Sequence, residues 1–253
     1  MTGRTGFAFA QARLQARVAL LLPNEEWRHL DAVRALAPYL EEARSTRLAP
    51  LVARFSTSST HHDIEVALRV RFSETVLEIA EWVPGPWRSA IRCVDELWDL
   101  TLLQHLYRHR KVPAWMSRLP RFAPHLADDE VDTRDAINRL LQPRLDILGA
   151  DSLLDAWLNR WRALWPRAQH DHHRNLDILV KLVHGHLVAF ARTPPGEAWA
   201  SRRDFQRRVR FLFRRCCLQP AAVVSYLCLY ALELERLRGS LLNRIFLPVE
   251  KPA

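Results

Sequence analysis

Imidazoles and a carboxylate crowd one stretch, His170-Asp171-His172-His173, with His184 and His186 further on. Such ligands at close spacing suit a transition metal. They follow Pro166, however, where a loop or helix start is expected and polar side chains are ordinarily solvated, so no metal ligand is assigned. The densest cationic run is Arg202, Arg203, Arg207, Arg208, Arg210, Arg214 and Arg215. Guanidinium groups pair with carboxylates and phosphates. These seven arginines are therefore the candidate protein-interface residues, with phosphate backbones as the other polyanion they could touch. The four cysteines, Cys93, Cys216, Cys217 and Cys228, show no C-x-x-C spacing, which fits reduced thiols in a cytosol. No G-x-G-x-x-G, Walker A, H-E-x-x-H or G-x-S-x-G motif occurs. We expect no catalytic residue, no cofactor, no metal and no small-molecule ligand: a binding protein rather than an enzyme.

The elements that must position these groups read as helices throughout. The chain has 253 residues, 49% hydrophobic, with only 7 glycines, so tight β-turns and phosphate-cradling loops are scarce. Its formal net charge of +9 favours an acidic partner, although arginines on solvated helix faces need none. The N-terminus does not read as a signal peptide. No uncharged apolar run reaches the ~18 residues of a membrane span. The longest, Pro220 to Leu232, meets Glu233 and Glu235. Any membrane attachment is expected through partners.

Helical periodicity recurs along the chain. Leu14, Val18, Leu21 and Leu22 form a stripe stopped by Pro23, and Asn24 is a candidate N-cap for a helix with Trp27, Leu30 and Val33. Thr60-x-x-Asp63 has the form of a capping box before Ile64, Leu68, Phe72, Val76 and Ile79. Pro84-Gly85-Pro86 separates this helix from one carrying Trp87, Ile91, Val94, Trp98, Leu102 and Leu106. Residues 113 to 124 read as a linker, dividing an N-terminal helical unit (1–112) from C-terminal helical units (113–253). Ile137, Leu140 and Leu141 suggest a short helix ended by Pro143, and Asp151 a cap. Trp157, Trp161 and Trp165 share one face, where aromatic packing is expected. Leu176 to Phe190 marks another helix, and Ser201-x-x-Asp204 suggests a second capping box before Phe205, Val209, Leu212 and Phe213. The last helix starts at Pro220.

The order of signals at the two ends resembles a family. Near the start stand Ala12-Arg13-Leu14-x-x-Arg17, Leu21-Leu22, Pro38-Tyr39-Leu40 and Asp63-Ile64-Glu65-x-x-Leu68. An aromatic-Asp-aliphatic-x-x-Leu stretch follows, Trp98-Asp99-Leu100-Thr101-Leu102-Leu103. Its C-terminal counterpart runs through Pro220, Val223-Val224, Tyr226-Leu227 and Glu233-Leu234-Glu235-Arg236-Leu237. In this order they resemble the C subunit of archaeal and bacterial A/V-type ATPases, subunit d of eukaryotic V-ATPases, as a short, divergent bacterial member. Asp99 then aligns with Glu233, Leu100 with Leu234 and Leu103 with Leu237. Leu102 stands where the family carries Asn.

The resemblance implies an all-α, funnel-like bundle of two or three related helical units, with one unit reduced or missing. It implies a non-catalytic connector of a rotary ATPase, coupling the central stalk to the membrane rotor ring during ATP-linked ion or proton transport. Its partners would be stalk and ring subunits, its place cytoplasmic and peripheral to the membrane. Trp98, Asp99, Leu103, Tyr226, Glu233 and Leu237 would be motif positions with structural roles. The alternative from charge alone is a basic helical protein associated with nucleic acid.

Overall fold

The computed structural model describes residues 5–109, 112–126, 153–167, 170–190 and 192–247. Among these every regular element is helical, and the fold is an all-α multi-helix bundle. The helices are α1 (Ala8–Leu20), α2 (Asn24–Ala32), α3 (Leu36–Arg44), α4 (Ala49–Val52), α5 (His61–Trp82), α6 (Gly85–Cys93) and α7 (Glu96–His109). After them come α8 (Ala123–Leu126), α9 (Leu153–Ala163), α10 (His170–Phe190), α11 (Ala198–Arg215) and α12 (Pro220–Phe246). Short 3-10 turns lie at Thr5–Phe7, Ala114–Arg118 and Pro195–Glu197.

The apolar run that was too short for a membrane is the axis of the bundle. From Pro220 to Leu227 every residue of α12 is buried, as expected of a helix apolar on all sides. It packs against α1, α3, α5, α6, α10 and α11. One hydrophobic core runs from Phe7 to Leu241 and draws on residues from both sides of position 113. The turn before α12 is tight. Leu218 takes φ 62°, a left-handed conformation that L residues adopt at a cost, and its N–H donates to the Gln11 side-chain Oε1 at 3.1 Å.

Several expectations hold at the level of single bonds. Thr60 and Asp63 form the reciprocal capping box that opens α5. Trp157 and Trp161 on α9 and Trp165 just beyond its end are buried, the first two stacked at 5.4 Å. The Trp161 indole N–H donates to the Ala90 carbonyl at 2.8 Å, tying α9 to α6.

Four expectations are corrected. Asn24 does not cap α2: Pro23 holds that position, and the Asn24 side chain accepts from Arg236. The helix expected to run from Trp87 to Leu106 is two helices, because i to i+3 bonds tighten the backbone around Val94–Leu97. Ser201 does not open α11, which starts three residues earlier after the Pro195–Glu197 turn. Asp204 pairs with Arg207 instead. The segment 113–124 is not a free linker. Met116, Leu119 and Phe122 are buried with Val66, Leu103 and Leu106 in a second small core that seats it against α5 and α7. The helix expected at Ile137–Leu141 and the cap at Asp151 lie outside the described residues.

Candidate interaction surface

Arginine sorts this molecule into two kinds of site. At the first, α5, α7 with the turn before it, the 113–124 segment and α12 bring six charges together. Arg69 on α5 is only 8% exposed. Its Nε donates to Glu65 at 2.7 Å, one helical turn away, and its Nη1 to the Trp98 carbonyl at 2.6 Å and to Asp99 at 3.3 Å. Arg121 donates to Asp99 at 2.8 Å and also to Asp95. Ser73 donates to Asp95 at 2.8 Å, and Arg238 of α12 closes the chain of bonds onto Glu65. Three carboxylates thus face three guanidinium groups beside a cavity of about 230 Å³. Burial pushes the Asp95 carboxyl up, while Arg121 and Ser73 pull it back. With each carboxylate engaged by a cation, the network ties elements together and leaves none of the three poised as a free base.

The motif residues fall on two helices. On α7, Asp99 sits in this network, Leu103 is buried, and half-buried Trp98 meets Phe72 edge-on at 4.8 Å. On α12, Tyr226, Glu233 and Leu237 are buried, and Tyr226 stacks over Tyr230. Burial raises the Tyr226 hydroxyl above its ordinary range. Glu233 meets no guanidinium in its hydrogen bonds. Both its oxygens accept from the Leu22 N–H, at 3.0 and 3.1 Å, and the Trp27 side chain adds another bond. Leu22 lies between α1 and α2, before a proline that has no N–H of its own, so Glu233 satisfies a donor that would otherwise be buried unpaired. Burial outweighs these bonds and lifts the carboxyl to about 7.

The histidines do not converge. His172 packs edge-on against Phe7 and Trp87. His173 meets Trp165 and the Pro166 carbonyl. His186 lies flat on Phe205 at 4.1 Å, and His184 borders an apolar pocket between α9 and α10. Among the described residues no group of three or more His, Cys, Asp or Glu is placed to hold a metal ion.

The second kind of site lies on α11, where the arginine run splits by helical angle. Arg202 packs over the Phe190 and Trp199 rings and pairs with Glu235 at 3.2 Å. Arg203, Arg210 and Arg214 follow on the adjoining flank by helical angle, and the Arg210 charge helps pull down the Glu233 carboxyl. Arg207, Arg208 and Arg215 line an open groove of about 550 Å³ between α11 and α10. The opposite wall is Ile178, Lys181 and Leu182, and Phe211 stands in the groove 62% exposed. Sequence periodicity missed this wall because Lys181 and Ile178 belong to another helix. Phe211 was a usable signal: it is an apolar residue off the Phe205/Val209/Leu212 stripe.

Compared with protein-family models, with curated proteins and with solved structures, the chain matches none. Among the described residues no helix is long and apolar enough to cross a membrane.

Proposed function

We propose that the chain is a non-catalytic connector subunit of a rotary V/A-type ATPase, joining the central stalk to the membrane rotor ring. The main support is the equivalence of its two motif helices. In α7 the acid Asp99 and the leucines one and four residues on, Leu100 and Leu103, are all buried. In α12 Glu233, Leu234 and Leu237 are buried at the same offsets. In each copy the acid binds the helix to another part of the chain: Asp99 to Arg69 and Arg121, Glu233 to Leu22. A subunit that passes torque needs such cross-ties, since they resist shear between helices. The cationic face of α11 offers acidic partners a docking surface. Affinity-tagged chain expressed in its own cells should recover central-stalk and ring subunits, and the purified chain alone should not hydrolyse ATP. Recovery of no rotary ATPase subunit would sink the proposal.

A second proposal, a nucleic-acid-associated protein, draws on the same cations. It requires oligonucleotide binding that weakens steeply with salt. No mobility shift at low salt removes it.

A further inference from the structure

The groove between α10 and α11 is apolar along its floor and cationic at its rims. Ile178 and Leu182 rise from α10 and Phe211 from α11, while Lys181 stands on one side and Arg208 and Arg215 on the other. None of these three cations forms an ion pair among the described residues. Arg207 has Asp204, but that pair is largely solvent-exposed and weakly held. A second recess adjoins it, sharing Lys181, Leu182 and Arg208 and passing Gly185 and Ala189 on α10 toward Ser201 and Asp204 on α11, the two helices running antiparallel; Asp204 makes this end less cationic. From Ile178 to Ala189 the two together are about 16 Å long by helical rise, which matches a helix of about three turns.

We infer that this groove docks an acidic amphipathic helix of a partner protein. An apolar stripe at i, i+4 and i+7 would cover Phe211, Ile178 and Leu182. Glutamates and aspartates flanking that stripe would meet Lys181 on one side and Arg208 and Arg215 on the other. Two parallel walls with a shallow floor are what a third helix packs into. A nucleic-acid strand fits less well. Its phosphates would find the rims, but the aliphatic floor offers one aromatic ring, Phe211, where stacking needs successive rings. The inference rests on the connector proposal only in treating the chain as a binding module. It holds whichever assembly supplies the helix.

The test uses the full chain and a fluorescent synthetic peptide of about four turns, with leucines at i, i+4, i+7 and i+11 and glutamates on both flanks. A scrambled peptide of identical composition and a single-stranded oligonucleotide of similar charge are the comparisons. The helical peptide should bind and should weaken as salt rises. Phe211→Ala and Arg208→Glu should each weaken it about ten-fold or more, with unchanged far-UV circular dichroism, while Arg34→Glu on the α2–α3 turn should not. Absence of peptide binding, equal binding of the scrambled peptide, or an unaffected Phe211→Ala variant each overturns the inference. So does tighter binding of the oligonucleotide that ignores Phe211. If the peptide does not bind while the chain still recovers rotary ATPase subunits from cells, the groove is wrong and the connector stands. If the peptide binds as expected and no such subunit is ever recovered, the connector is wrong and the groove stands.

Discussion

Arg69 and Arg208 are the same residue type, each within a long helix, and they are in opposite states. Arg69 is buried, with Glu65, Asp99 and the Trp98 carbonyl around it. Arg208 is exposed, with apolar Phe211 and Leu182 beside it in the groove, Lys181 across it, and one turn before it Asp204, which pairs with Arg207. What separates them is the neighbouring helix. Facing Arg69, α7 carries Asp99, with Asp95 just before it; facing Arg208, α10 carries Lys181, Ile178 and Leu182. A cation whose neighbours neutralise it serves the fold, and one whose neighbours do not is left for a partner.

Four measurements break or sharpen that contrast. The largest effect is expected for Arg69→Ala, which leaves Glu65 and Asp99 without a shared cation; it should cost about 3–5 kcal/mol in urea unfolding. A loss below about 1 kcal/mol would mean the network is ornamental. Glu233 shows what a buried carboxylate does without a guanidinium hydrogen bond. Its pKa rises from 4.5 to about 7 on folding, so the folded chain binds this proton more tightly than the unfolded chain. The stability it contributes is complete below about pH 4.5 and is lost as pH rises through 7, by roughly 3 kcal/mol. Glu233→Gln should remove that slope. A stability difference between parent and variant that stays flat with pH would refute it.

Smaller effects follow. Trp161→Phe removes a neutral hydrogen bond to Ala90 from the same core and should cost about 1–3 kcal/mol, read as a lower thermal midpoint. At the far end of the contrast, Arg208→Ala with Arg215→Ala should change unfolding free energy by no more than about 0.5 kcal/mol. A loss as large as that of Arg69→Ala would show that the groove arginines also hold the fold.

The sequence carried much of the fold because its stops are chemical. Pro23, Pro84 and Pro194-Pro195-Gly196 mark real boundaries, and the Thr60/Asp63 box appears as expected. The break at Val94–Asp95 left no such mark, since a tightened turn needs neither proline nor glycine. In the 113–124 segment the prolines outweigh a visible apolar signal, Met116, Leu119 and Phe122 at intervals of three. The ionic network was legible only in part. Glu65 and Arg69 are one turn apart and could be paired on sight, but Arg121 reaches Asp99 across 22 residues and Arg238 reaches Glu65 across 173. Pairings of that range are made by tertiary packing, which periodicity does not encode. The groove was half legible for the same reason: one wall is the noted arginine helix, and the other comes from α10.

The position of α12 has a consequence for how the chain is made. The helix that α1, α3, α5, α6, α10 and α11 pack against is made long after the first of them. Leu22 must wait for Glu233, 211 residues later. At about 5–20 residues per second that delay is roughly ten to forty seconds. Through that interval the apolar faces of α1 and α5 have no axis to close on. A nascent chain stalled before Pro220 should therefore be bound by ribosome-associated holdases and cut readily by protease, and protection should arrive in one step when α12 emerges.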